Sequence, residues 1–227
     1  MRFKKIIATT LIMGVIVGGT SSITSAAVKQ NIVTPVVMKS VQSQINEFNQ
    51  LENQIKNNRS AIIKADKTTV NAEGISTRAV GTYPTRKGVI LVTRDGSLDK
   101  LVGHAGIVYN TSTTVESFPS SSSYATSNGV TTYSNNWSRR YSTVYGVTTY
   151  GPSATQDASA ANIAYGFRGK PYNWNFLNTS TTSSFYCSQL VYRAYLNSTN
   201  KNLNQGGGIV FPIDLVQSSN TYTIYSK

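Results

Sequence analysis

Hydrophobic positions change their period along this chain. From Val36 to Asn57 they recur every three or four residues, at Val37, Val41, Ile45, Phe48, Leu51 and Ile55, with Gln, Asn, Glu and Lys between them. That spacing predicts an amphipathic helix. Asn58 to Val80 loses the period, is polar, and reads as a linker. From Gly81 onward the pattern is that of strands. Gly88 to Thr93 is a continuous apolar, β-branched run and predicts a buried strand, with Asp95-Gly96 as the turn after it. Gly103–Tyr109 and Thr114–Phe118 predict the next two strands, joined as a hairpin across Asn110. Ser120 to Asn135 is rich in Ser and Thr and predicts a surface excursion. Thr143–Tyr150 predicts a fourth strand and Thr221–Tyr225 a last one. Two helices are expected in this half. Gln156–Arg168 has Gly169 as its terminator and Pro171 just beyond. Phe185–Asn197 has Ser183 or Ser184 as its N-cap. Gly206 to Gly208 breaks the chain before Ile209–Pro212. Strands with a few segregated helices predict an α+β fold.

The N-terminus adds an export signal. Met1–Lys5 is positive, Ile6–Gly19 is apolar, and Thr24–Ala27 carries small-residue cleavage sites. An apolar run of about 14 residues is short of the roughly 20 needed to span a bilayer. The expected organisation is therefore a signal peptide at 1–26, an amphipathic helix and polar linker at 27–80, and one domain at 81–227. Removing residues 1–26 takes away Arg2, Lys4 and Lys5 and lowers the formal net charge from +12 to +9. A basic exported protein adheres to polyanions. In a bacterial envelope these are anionic wall polymers or the membrane surface, and the expected location is extracellular, with wall association. Lysines and arginines are scattered without an Arg-rich run, which argues against specific nucleic-acid binding. Oligomeric state is not readable from the sequence.

The chain contains one cysteine, Cys187, and one histidine, His104. An exported protein with a single cysteine cannot close an internal disulfide, so the thiol invites another role. Cys187 falls in the first turn of its predicted helix, where the amide dipoles favour a thiolate and the free N–H groups face a developing oxyanion. His104 sits on an apolar strand between Gly103 and Ala105. Glu116 is the only glutamate after Glu73. A hairpin turning about Asn110 sets His104 and Glu116 opposite each other, with Cβ atoms roughly 5 Å apart. A carboxylate there orients an imidazole and supports its charged form. One Cys and one His do not make a metal-ligand set, and the glycine run at 206–208 lacks the context of a phosphate loop. No cofactor is expected.

These residues carry a family resemblance. His104-Ala-Gly-Ile-Val-Tyr with Val115-Glu116 resembles the histidine-bearing strands of NlpC-type cell-wall peptidases. Tyr186-Cys-Ser-Gln-Leu-Val-Tyr resembles their nucleophile motif, and Lys170-Pro-Tyr-Asn-Trp-Asn their P-Y-x-W stretch. The order His, Glu, Cys is the reverse of theirs and is similar to the circularly permuted papain-like branch of YiiX and YycO type. That resemblance covers about 82–224. It implies an antiparallel sheet packed against a few helices and a cysteine hydrolase, an amidase or peptidase. Cys187 would be the nucleophile, His104 the base and Glu116 the orienting group. Tyr172 would help form the oxyanion hole, with Tyr186 and Ser188 beside the substrate. Tyr186 stands where the peptidases have Asp and Gln189 where they have Gly, so the substrate need not be a cell-wall peptide; a lipid or N-acyl amide hydrolase or acyltransferase is the alternative. A non-catalytic envelope binding protein on the same scaffold is the other reading. The N-terminal helix could also serve as a pro-segment over the cleft.

Overall fold

The computed structural model describes residues 42–57, 81–98, 101–151, 153–204 and 207–227. The predicted signal at 1–26, the linker at 58–80 and the first residues of the N-terminal helix lie outside them.

Helix α1 occupies 42–57. Its apolar stripe is turned inward. Phe48 is buried and stacks on Tyr145 with ring centroids 6.1 Å apart, and Glu52 pairs with Arg94 at 2.8 Å.

Six strands follow: β1 (Ile90–Leu98), β2 (Leu101–Asn110), β3 (Thr113–Phe118), β4 (Gly129–Ser134), β5 (Tyr145–Thr149) and β6 (Thr221–Ser226). They form one antiparallel sheet in the order β4-β3-β2-β1-β5-β6. Ile90, Leu91 and Val92 are all buried, as are Ala105, Ile107 and Val108, so the central strands are covered on both faces. This is why the Gly88–Thr93 run shows no alternation. One face is packed by Val89, Leu91 and Val108 with Trp137, Tyr141, Val144 and Tyr225. Helices α3 (Ala154–Gly166) and α4 (Cys187–Thr199) pack against each other and on β2, and α5 (Pro212–Gln217) packs on β1 and β2. The one-turn helix α2 (Trp137–Arg140) links β4 towards β5.

A polar tie joins helices to sheet. Asp157 of α3 accepts from Arg86, Thr148, Thr149 and Tyr195, and the Tyr195 hydroxyl also donates to the Gly88 carbonyl. These bonds leave no lone pair of that buried carboxylate idle.

The α+β expectation holds, with local corrections. The excursion at 120–135 contains a strand. Gly129-Val-Thr-Thr-Tyr-Ser134 pairs residue for residue with β3, and Val130 is buried. Its β-branched and aromatic content was masked by the neighbouring serines. Asp95-Gly96 is not a turn; β1 runs through it to Leu98 with a register shift between Thr93 and Ser97. Gly96 takes a positive φ of 89° there, as a bulge requires. Helix α4 starts later than expected. Its N-cap is Tyr186, not Ser183 or Ser184, because Phe185 is still held in extended chain by a bond to Pro171 O. Helix α5 was not foreseen. Its signals are Pro212 at the first helical position and Asp214, which accepts from Phe211 N at 2.7 Å.

Candidate active site

The β2–β3 hairpin turns at Thr111-Ser112, not at Asn110, so its register differs from the expected one by two residues. Glu116 lies opposite Gly106, while His104 is two residues farther along the same face of β2. The carboxylate still reaches the ring. His104 Nε2 and Glu116 Oε2 are 2.9 Å apart, both fully buried. Gly106 makes this diagonal reach feasible. A Cβ on it would come within 2.8 Å of Glu116 Cγ and 3.0 Å of Trp137 Cζ2. Gly106→Ala is accordingly expected to cost about 2 kcal/mol and to displace the carboxylate from His104. A urea midpoint together with a turnover assay checks both parts, and an alanine variant with unchanged stability would show that the site has slack.

Three further donors fix Glu116. Oε1 accepts from Trp137 Nε1 at 2.9 Å, Arg140 Nη2 at 2.5 Å and the Thr114 hydroxyl. Burial raises the carboxyl, but His104 and Arg140 outweigh it and hold it below the ordinary carboxylate range. Burial likewise lowers the Arg140 guanidinium, and Glu116 more than offsets that. Trp137 and Arg140 escaped the sequence reading. They are three residues apart on one helical turn and so share a face, but the turn is a single one after a Ser/Thr-rich stretch.

Cys187 is the first residue of α4 and its side chain is fully buried. Burial pushes the thiol up. The neighbouring His104, the Ala105 N–H and the Ser188 hydroxyl more than reverse this and hold it below the ordinary thiol range. His104 shows the converse. Burial lowers it, and Cys187 and Glu116 raise it above the ordinary imidazole range. With Nε2 given to Glu116, Nδ1 is the ring nitrogen left for the thiol. Stacking on Phe118, with centroids 4.0 Å apart, and on Trp137, at 5.4 Å, fixes the ring plane.

The other expected site residues are placed as follows. Tyr172 is buried against Trp174, with centroids 4.9 Å apart, in the segment leading to α4. Tyr186 is fully buried, donating its hydroxyl to Phe176 O at 3.3 Å and accepting from Val210 N at 2.9 Å. Ser188 donates to Val210 O at 2.7 Å. The last two hydroxyls are thus spent on seating α4 rather than presented to a substrate. Beside His104 opens a cleft of about 310 Å³, lined by Phe118, Tyr124, Tyr141, Asp95 and the serines at 121–123. No residue of α1 lines it.

Comparison with known proteins gives the family. Residues 93–212, just over half of the chain, match the model of the permuted papain-like amidase enzymes, YaeF/YiiX. A 76-residue segment is 36% identical to the uncharacterized protein YycO of Bacillus subtilis strain 168. It covers 32% of this chain and 31% of YycO, so the match spans about a third of that relative's length. A crystal structure titled as the metalloprotein YiiX from Escherichia coli O157:H7 aligns with TM-score 0.49 and 15% identity, over 62% of this chain and 96% of that one. In the present chain no group of three or more His, Cys, Asp or Glu side chains fit to hold a metal occurs among the described residues. Glu116 already accepts from His104, Thr114, Trp137 and Arg140, so its carboxylate is committed to four protein donors. With its α+β fold and its match through both the histidine strand and the first turn of α4, the chain belongs to the permuted papain-like amidase family.

Proposed function

We propose that this amidase is an exported cysteine hydrolase working through Cys187, His104 and Glu116. The observation that carries the reading is the coupling of the only thiol to the only imidazole, with a four-fold hydrogen-bonded carboxylate behind it. The resting pair is a thiolate and an imidazolium. The thiolate attacks the amide carbonyl and the carbonyl electrons move to oxygen. N–H groups at the start of α4 face that oxygen, and the Tyr172 hydroxyl assists. As the tetrahedral intermediate collapses, His104 Nδ1 gives its proton to the leaving amine. Water, deprotonated by the same nitrogen, then hydrolyses the thioester, and the thiolate leaves. Glu116 stays ionised throughout and holds the ring.

Export is supported by the pattern of residues 1–26, and attachment to anionic wall polymers by the net charge of +12 before processing. Cell-wall peptides are the substrate class that fits such a location. Acyl amides are the second reading, favoured by the aromatic walls of the cleft.

The test is the rate of Cys187 alkylation by iodoacetamide against pH. Because the thiol lies below its ordinary range, the rate should reach its plateau at a pH where a free cysteine, at about 8.5, is still protonated. Full burial of the side chain should make that plateau lower than for an exposed thiolate. A midpoint at or above about 8.5 would sink the reading and leave a binding protein on the same scaffold.

A further inference from the structure

The loop that carries the chain from α3 to α4 is firmly built, yet it leaves large apolar side chains in solvent. Trp174 is 52% exposed and Leu177 50%. Leu177 is the one large aliphatic side chain so exposed among the described residues. Pro171, three residues before Trp174, is exposed as well.

Slack does not explain this exposure. Asn173 is buried, donates to Asn178 O at 3.2 Å and to Gln189 Oε1 at 2.9 Å, and accepts from Asn175 N at 2.9 Å. Gln189 donates to Asn178 O at 3.0 Å and to Thr181 O at 3.3 Å, and the Tyr186 hydroxyl donates to Phe176 O. Phe176 is buried against Tyr186, with ring centroids 5.2 Å apart. Trp174 rests edge-on against Tyr172 at 4.9 Å. The loop is thus a preformed ridge with an apolar outer side. A single exposed apolar side chain is ordinary, but three at three-residue steps on a pinned loop mark an interaction surface.

The charge around this ridge has one sign. No Asp or Glu occurs between Asp157 and Asp214. Arg168 and Lys170, just before the ridge, are exposed and pair with no acid among the described residues. Arg168 is held in place: its Nε donates to Tyr165 O at 2.9 Å and its guanidinium lies 3.4 Å from the Tyr165 ring centroid. A soluble polyanion would use only these cations. An anionic lipid surface uses both features, since its headgroups attract Lys and Arg and its interfacial layer takes Trp and Leu. Either signal alone binds weakly, and the two together hold.

We propose that the 171–177 ridge docks the protein on an anionic lipid surface. Trp174 and Leu177 enter the layer between headgroups and acyl chains, and Arg168 and Lys170 meet the headgroup phosphates. Because Gln189 and Tyr186 bond the ridge to the first turn of α4, docking brings the Cys187 end of that helix to the bilayer. The docking does not depend on the reaction at Cys187, so either reading can fail without the other.

Vesicles of equal parts phosphatidylcholine and phosphatidylglycerol test it, mixed with the processed chain from residue 27 onward so that the apolar run at 6–19 contributes nothing. The protein should sediment with them, and less with phosphatidylcholine alone or at about 1 M salt. The chain has two tryptophans and Trp137 is fully buried, so a blue shift of emission and quenching by brominated lipid report on Trp174. Trp174→Phe should lose both signals and still sediment. Trp174→Ser combined with Leu177→Asn should weaken partition about tenfold with an unchanged urea midpoint, since both side chains are half in solvent already. Arg168→Gln combined with Lys170→Gln should weaken it by about as much. Absence of partition, or a Trp174 emission that does not move on binding, would overturn the proposal. So would wild-type partition in the Trp174/Leu177 double variant, which would assign the binding to charge alone, as for a soluble polyanion.

Discussion

His104→Ala should lower amide turnover by at least about a thousandfold and return Cys187 to the behaviour of an unassisted buried thiol. Two losses combine. The first is the neighbouring imidazolium, which holds the thiol below its ordinary range. Without it only the Ala105 N–H and the Ser188 hydroxyl still oppose burial, so the thiol moves back up and the thiolate fraction at pH 6 falls. The second loss is the proton donor to the leaving amine, for which general-acid catalysis is worth about 10²- to 10⁴-fold. In the intact protein the pH profile should be a bell. Its acid limb falls as the lowered thiol becomes protonated. Its alkaline limb falls as the raised imidazole loses its proton, so activity persists above the ordinary imidazole range. The two limbs belong to the pair, since each proton depends on the other. In His104→Ala the alkylation midpoint should move above about 8.5. The fold should survive, because Trp137 and Tyr141 also pack on each other within the core and Phe118 on Tyr133, while Glu116 keeps Thr114, Trp137 and Arg140 as donors. A near-neutral midpoint in that variant would assign the activation to the start of α4 alone.

The three residues of this argument were legible in the sequence for a simple reason: a solitary Cys, a solitary His and an isolated Glu leave few combinations. Their mutual placement was less legible. Symmetric pairing about Asn110 was the wrong pivot, and only the period of two rescued the face, since a slip of two residues keeps Glu116 on the side of His104. Arg140 and Trp137 were not readable at all. A one-turn helix has no period, and their role exists only because β4 brings the chain back across β3. That strand was itself hidden among serines and threonines. Tyr186 and Ser188 erred in the opposite direction. They lie beside the nucleophile in sequence, but one residue along a helix is about 100° of rotation, which turns Ser188 towards Val210.

Glu116→Gln separates charge from shape and should be the most damaging conservative change in the chain. The three donors on Oε1 will retain an oxygen there, so the new amide NH₂ must take the place of Oε2 and face His104 Nε2. A donor in that position demands an unprotonated Nε2 and shifts the proton to Nδ1, the nitrogen that must receive the thiol proton. Turnover should drop about a hundredfold by this change of tautomer, less than in His104→Ala. The alkaline limb should move down, since the carboxylate no longer supports the imidazolium. Stability should fall as well. Arg140, with 14% of its side chain exposed, is left as an uncompensated charge among Tyr133, Trp137 and Tyr141, at a cost of about 3 kcal/mol. The pH dependence supplies the control. The Glu116 carboxyl is lowered by the fold, so its contribution is complete above the unfolded value of about 4.3 and is lost as pH falls through the folded one. Urea midpoints of wild type and variant should therefore differ most at pH 7 and converge in strong acid, where the wild-type carboxyl is protonated too. A difference that is small at pH 7, or that persists unchanged into acid, would mean that shape rather than charge makes Glu116 matter.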